Sequence, residues 1–103
     1  MAQLVPASKI TVIAPEGFEK TLSQLLLRAG ATGYTTLDAR GHGVHGTQYG
    51  DIAGSSILII SIVSDDIAEG IISSLADMVE AGYQIMVFSE PAQVVRRGSA
   101  KAT

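Results

Sequence analysis

The sequence predicts an α+β domain in which four strands and two helices follow one another as β-α-β-β-α-β. The strands are expected to form an antiparallel sheet with both helices on one face. Three observations carry this expectation. Two segments repeat apolar residues at helical spacing, and each ends at a glycine. Four segments rich in β-branched residues flank and separate them. The chain has 103 residues, the length of a single domain with a core of its own.

The elements follow in order. KITVIA (9–14) is a β-branched run closed by Pro15 and reads as the first strand. From Gly17 to Ala29, the residues Phe18, Leu22, Leu25, Leu26 and Ala29 recur at helical spacing, with Gly30 as the C-terminal cap. YTTLDAR (34–40) alternates, so that Leu37 and Ala39 share one face with Thr35: a strand with one apolar side. SSILIISIV (55–63) is the strongest strand signal. Ser64 is placed as an N-cap, and Asp65 and Asp66 fall in the first helical turn, where the helix dipole favours negative charge. Ile67, Ile71, Leu75 and Met78 form the second helical stripe, which Gly82 ends. YQIMVFS (83–89) reads as the last strand, broken by Pro91. This divides the single domain 1–103 into a core of about 9–90, a loop at 41–54 and a C-terminal tail at 91–103. The order is ferredoxin-like, a frame that hosts many unrelated functions.

Composition excludes several classes. Without cysteine, there are no thiolate metal sites, thiol nucleophiles or redox pairs. MAQLVPASK lacks the basic start and apolar centre of a signal peptide, and no apolar run approaches membrane-spanning length, so a cytoplasmic protein is expected. A net charge of −3 and an isoelectric point near 5.1 are the opposite of what a general nucleic-acid binder needs. Strands 57–63 and 84–88 are apolar in both alternating sets: Ile57 and Ile59 against Leu58, Ile60 and Ile62, then Ile85 and Val87 against Met86 and Phe88. Two helices cover only one sheet face, and an antiparallel sheet facing water should alternate. An obligate oligomer is the expectation.

Between the second and third strands lies ARGHGVHGTQYGDIAG (39–54), which holds Gly41, Gly43, Gly46, Gly50 and Gly54 of the chain's 11 glycines. Its G-H-G-V-H-G matches the dinucleotide fingerprint G-x-G-x-x-G. That fingerprint must open directly into a helix whose amides hold the pyrophosphate; here the next element is a strand, so the match is fortuitous. His42 and His45 have H-x-x-H spacing, but in a glycine-rich loop this spacing aligns nothing, and a third ligand would have to come from Asp38, Asp51 or another chain. No metal is assigned. No acid–base pair or nucleophile elbow is enforced by spacing, so no catalytic residue is named and the protein is not expected to be an enzyme.

The remaining motifs carry a resemblance. GATGYTTLDARGHG (30–43) resembles the PII signalling-protein pattern, in which a glycine-ended helix leads through G-x-T-G to a strand and then to the G-x-G entry of the T-loop. SIVSDD (61–66) is similar to that family's strand-to-helix junction, with Ser64 in place of a proline. IMVFSEPAQVVR (85–96) resembles its closing segment. Together they span roughly residues 9 to 97. The loop is shorter than a typical T-loop, Tyr49 does not align securely with the modified tyrosine, and the B-loop glycine–lysine segment is missing, since EAGYQIMVF passes straight from helix to strand. The resemblance is to a compact, carboxysome- or bicarbonate-associated PII-like subgroup.

It implies a PII-like homotrimer, a non-enzymatic sensor with nucleotide sites in the clefts between subunits. It implies ADP or AMP rather than ATP, as ligands and not cofactors, and bicarbonate as a candidate second ligand. The implied nucleotide contacts are Gly33, Tyr34, Thr35, Gly41, His42, Gly43, Ser61, Ile62, Val63 and Arg96. The implied anion contacts are Arg40, Gly41 and Gly43. A ligand-ordered T-loop would signal to a protein partner such as a bicarbonate transporter or a carboxysome-related protein.

The residues themselves are compatible with these roles. Gly41 and Gly43 let backbone amides approach a phosphate, Arg40 can grip a planar anion through two bonds, and Thr35 can donate to and accept from a base edge. Singly, a strand-end arginine reads as a solvated charge, Arg96 and Arg97 as tail charges and Thr35 as a strand former. Two rival readings remain: a regulatory module binding amino acids on the same frame, and a metal-binding trimer. The segment from about His42 to Ala53 is expected to be poorly ordered without ligand.

Overall fold

A computed structural model describes residues 2–41 and 55–97. The elements are β1 (Ala2–Pro15), a single 3-10 turn (Glu16–Phe18), α1 (Glu19–Arg28), β2 (Thr35–Arg40), β3 (Ser55–Val63), α2 (Asp65–Glu80) and β4 (Met86–Arg97). They build the expected β-α-β-β-α-β frame. The four strands form one antiparallel sheet in the order β2-β3-β1-β4.

One sheet face carries the core. Ile10, Val12 and Ala14 of β1 and Ile57, Ile59 and Val63 of β3 are buried together with Leu22 and Leu26 of α1 and Ile71 and Leu75 of α2. Both helices end as their glycines predict. After α1 the amide of Ala31 bonds the carbonyl of Leu26 at 3.0 Å and that of Gly30 bonds Leu27 at 3.1 Å. After α2, Tyr83 bonds Met78 at 3.1 Å and Gly82 bonds Val79 at 3.0 Å. These paired bonds close the helix ends around a residue of positive φ, 111° at Gly30 and 100° at Gly82, which glycine adopts without a Cβ clash.

Several boundaries differ from expectation. Pro91 does not end the last strand; β4 runs on to Arg97, so residues 91–97 belong to the sheet and not to a tail. β1 likewise begins at Ala2, well before Lys9. The two extensions pair with each other from Ala2↔Arg97 to Ala7↔Ala92. Among the described residues β4 is an edge strand, and β1 has no other neighbour before Ser8, where its pairing with β3 ends. Pro91 and Pro6 are tolerated because an edge leaves one row of amides without a strand to bind. β4 also starts later than expected, at Met86, because the cap at Gly82 and a tight turn from the Ile85 amide to the Tyr83 carbonyl delay it. The first turn expected of α1 is 3-10.

The register decides what the other face presents. Thr36 and Asp38 of β2 lie opposite Ile59 and Ile57, on the helix side. Thr35, Leu37 and Ala39, the apolar side of β2, therefore join Leu58, Ile60 and Ile62 of β3, Ile13 of β1, and Met86 and Phe88 of β4 on the face without helices. Leu37, Ile62, Met86 and Phe88 are between 43% and 60% exposed there.

Candidate functional site

The two segments to which the resemblance points first, Gly33–Thr35 and Ser61–Val63, meet at one end of the sheet. Thr35 lies opposite Ile60 as β2 begins, and the Ser61 hydroxyl donates to the Gly33 carbonyl at 2.8 Å. Ser61 is buried, so this bond ties the approach to β2 onto the end of β3. Alternation then turns Ile62 to the open face and Val63 into the core. Tyr34 and Thr35 are exposed beside them. A Cβ on Gly33 would meet nothing within 4 Å, and its φ is not positive. Neither the backbone nor the packing of the described residues requires glycine at 33.

Arg40 and Gly41 lie at the other end of β2, where Arg40 pairs with Ser55. At ~3.4 Å per residue, Arg40 stands ~17 Å along the strand from Thr35. A shallow cleft of about 330 Å³ is lined there by Glu16, Asp38, Ala39, Arg40, Ser55 and Ser56. At Gly41, as at Gly33, nothing among the described residues lies within 4 Å of where a Cβ would sit.

Arg96 is in a third place. It pairs with Gln3 near the tip of the two-stranded ribbon formed by the extensions of β1 and β4. That ribbon reaches ~20 Å past Ser8 at strand rise, consistent with a molecule 50 Å in its longest dimension. One protomer thus does not bring Arg96, Arg40 and Thr35 together. His42 and Gly43, with His45, Tyr49, Asp51 and the rest of the loop up to Gly54, lie outside the described residues. Among the described residues no group of three His, Asp or Glu side chains could hold a metal ion.

Sequence reasoning missed two polar contacts near the first cluster. The Ser8 hydroxyl donates to Asp65 Oδ1 at 2.7 Å, joining β1 to the start of α2. The Lys9 ammonium lies 3.7 Å from Glu90 Oε1. The first depends on how the start of α2 sits on β1 and the second on cross-strand register, and no local pattern reveals either. Ser64 stands at the N-cap as expected, its carbonyl accepting from the amides of Ile67 and Ala68, but its side chain caps no helix amide. The Ser64 hydroxyl and the amides of Asp66 and Ile67 instead hold the Asp66 carboxyl below the ordinary carboxylate range, against slight desolvation.

Comparison with known proteins converges on one family. The family model for nitrogen regulatory protein P-II matches residues 7–99. The chain belongs to the P-II family. A PII-like signalling protein from Thermus thermophilus shares 32% identity, over 89% of this chain and 91% of that one, with a TM-score of 0.74. CPII from Thiomonas intermedia, a nitrogen regulatory PII-like protein solved with ADP, AMP and bicarbonate, shares 27% identity over 91% and 92% of the two chains, with a TM-score of 0.77. CPII solved with ADP and bicarbonate gives 28% identity, 91% and 93% coverage and a TM-score of 0.78. No curated protein sequence matches significantly. No helix among the described residues is long and apolar enough to cross a membrane.

Proposed function

We propose that this P-II protein is a non-enzymatic sensor that binds ADP or AMP, with bicarbonate as a second ligand, at clefts between the subunits of a homotrimer. The loop at 41–54 then orders around the ligand and signals to a protein partner in inorganic-carbon metabolism. The observation that carries the reading is the Ser61–Gly33 bond. It ties Gly33–Thr35 to Ser61–Val63, implied nucleotide contacts from separate strands, at one end of the sheet where Tyr34, Thr35 and Ile62 are exposed, on a frame whose CPII relatives are described with ADP, AMP and bicarbonate.

Two further observations support subunit clefts. Arg40 and Gly41 are at one end of β2 and Thr35 at the other, so one ligand can touch both sets only where the end of one protomer meets the opposite end of another. The uncovered apolar face supplies the driving force for association at ~25 cal/mol per Å² buried. The space that the described residues leave open at Gly33 gives room for a ligand or a neighbouring chain to approach the backbone there.

Calorimetric titration with ADP, AMP, ATP, bicarbonate, amino acids and divalent metals tests the reading. Saturable binding of ADP or AMP, strengthened by bicarbonate, is the expected result. Binding of an amino acid or a metal with none of adenine nucleotides would replace it with one of the rival readings. Sedimentation at micromolar concentration should give a trimer mass.

A further inference from the structure

We propose that Lys9 is an additional phosphate-binding side chain of the nucleotide site, held by Glu90 until the ligand's anion displaces that carboxylate. The proposal rests on the nucleotide reading above and adds to it a residue and an exchange of partners. The register places Lys9 directly opposite Ile62 on one side and Glu90 on the other. Thr35 lies opposite Ile60, which is itself opposite Thr11. Thr35, Ile60, Ile62, Lys9 and Glu90 consequently share the open face, by the alternation of adjacent strands.

From Thr35 to Lys9 is two strand spacings across and two residues along, ~12 Å between backbones at standard sheet dimensions. A purine held at Thr35 and aligned along this diagonal passes over Ile62, which offers an apolar surface 43% exposed, and carries its phosphates toward Lys9. Within a single subunit, the other described basic side chains lie elsewhere. Lys20 and Arg28 are on α1, away from this face; Arg40 is at the other end of β2; Arg96 is near the tip of the ribbon. Lys9 is the basic side chain of the described residues that the register sets beside Ser61–Val63.

The Lys9–Glu90 contact has the character of a replaceable one. At 3.7 Å it is longer than the ~2.7–2.9 Å of a charge-assisted hydrogen bond. The side chains are 39% and 51% exposed, and solvent-exposed pairs of this kind add little stability. Phosphate oxygens carry more charge and offer more acceptors than one carboxylate, and exchanging Glu90 for them leaves Glu90 free to be solvated. The ligand's charge would thereby be read at β4, the edge strand that continues into the ribbon bearing Arg96.

Titrations of the full chain with ADP and with adenosine separate the outcomes. Lys9→Gln should weaken ADP about tenfold to a hundredfold, the range of one charge-assisted contact, and leave adenosine unchanged. Lys9→Arg should restore most of the loss. Glu90→Gln should tighten ADP by up to about fivefold, since it removes a competitor worth no more than an exposed ion pair. If parental protein binds ADP and Lys9→Gln binds it equally well, or loses adenosine to the same extent, Lys9 has no phosphate role and the proposal is wrong. If parental protein binds neither ADP nor adenosine, the nucleotide reading itself fails and takes this inference with it.

Discussion

The two faces of the sheet are built from similar residues and end in different circumstances. In β3 the helix-facing set Ile57, Ile59 and Val63 is buried, at 3% exposure or less, whereas Ile62 on the opposite face is 43% exposed. β3 sends three aliphatic side chains to each face, Leu58, Ile60 and Ile62 to the open one; only the helices are missing there. Apolar content therefore does not distinguish a covered sheet face from an open one. What distinguishes them is which face the crossovers place the helices on. The largest effect should come from breaking the covered face. Ile59→Ala should cost ~2–5 kcal/mol, the range for truncating a buried isoleucine, measured by chemical denaturation. Phe88→Asp on the open face should keep the helix and strand content in circular dichroism while sedimenting as a monomer. If Phe88→Asp remains a trimer, the open face is not the assembly surface.

The ends of the helices sharpen the comparison, because one faces the core and the other does not. Gly30 and Gly82 both need positive φ, but a Cβ on Gly30 would come within 3.3 Å of Ile67 Cγ2, whereas on Gly82 it would meet nothing. Gly82→Ala should cost ~1–2 kcal/mol from backbone strain alone. Gly30→Ala should cost more, since Ile67 must also give way. Equal losses in the two melts would show that Ile67 accommodates the methyl freely.

Much of this frame was legible locally. Helical stripes ending at Gly30 and Gly82 gave both helices, because a left-handed cap is a chemical demand on one residue. β3 was found with its bounds because its run of isoleucines has no competing period. The ribbon was not legible. Pro6 and Pro91 argue locally against strands, and only the knowledge that both sit where a sheet edge is free removes the objection. The sidedness of β2 was hidden for a related reason: alternation shows that Leu37 and Ala39 share a face, and the pairing with β3 alone says which face. Of the implied site, Gly33–Thr35 and Ser61–Val63 come together, whereas Lys9 escaped notice because its neighbours Ile62 and Glu90 are far from it in sequence.

Thr11 tests the open face at its centre. It is 3% exposed, between Ile60 and Phe88 in the register, and its buried hydroxyl has no hydrogen-bond partner among the described residues. A buried hydroxyl without a partner carries a desolvation cost of ~1–3 kcal/mol. Thr11→Val keeps the shape and removes that group, so in a variant made monomeric by Phe88→Asp it should be neutral or raise stability by ~1 kcal/mol. In the assembled protein the same change separates two cases. Loss of stability there would mean that the hydroxyl finds an acceptor on a neighbouring subunit; a gain would mean that it stays unpartnered.

The smallest expected effect lies at the start of α2, on the surface. The Ser64 hydroxyl first, then the amides of Asp66 and Ile67, favour the ionised Asp66 carboxylate, so its pKa in the folded protein lies below the ordinary value of 3.8. A depressed carboxylate pKa contributes stability that is present above the unfolded value and disappears as pH falls through the folded one. Asp66→Asn removes the titrating group while keeping its size. The variant should melt slightly below the parent at neutral pH, and the two curves should converge on acidification below the ordinary carboxylate range. Solvent screening at this exposed site keeps the difference small. Ser64→Ala should reproduce part of the neutral-pH loss in the parent and none of it in Asp66→Asn, because the hydroxyl acts here through that carboxylate and not as a helix cap. A gap between parent and Asp66→Asn that stays constant from neutral pH to about pH 2 would mean that charge at this turn is irrelevant, and that side-chain shape alone accounts for the change.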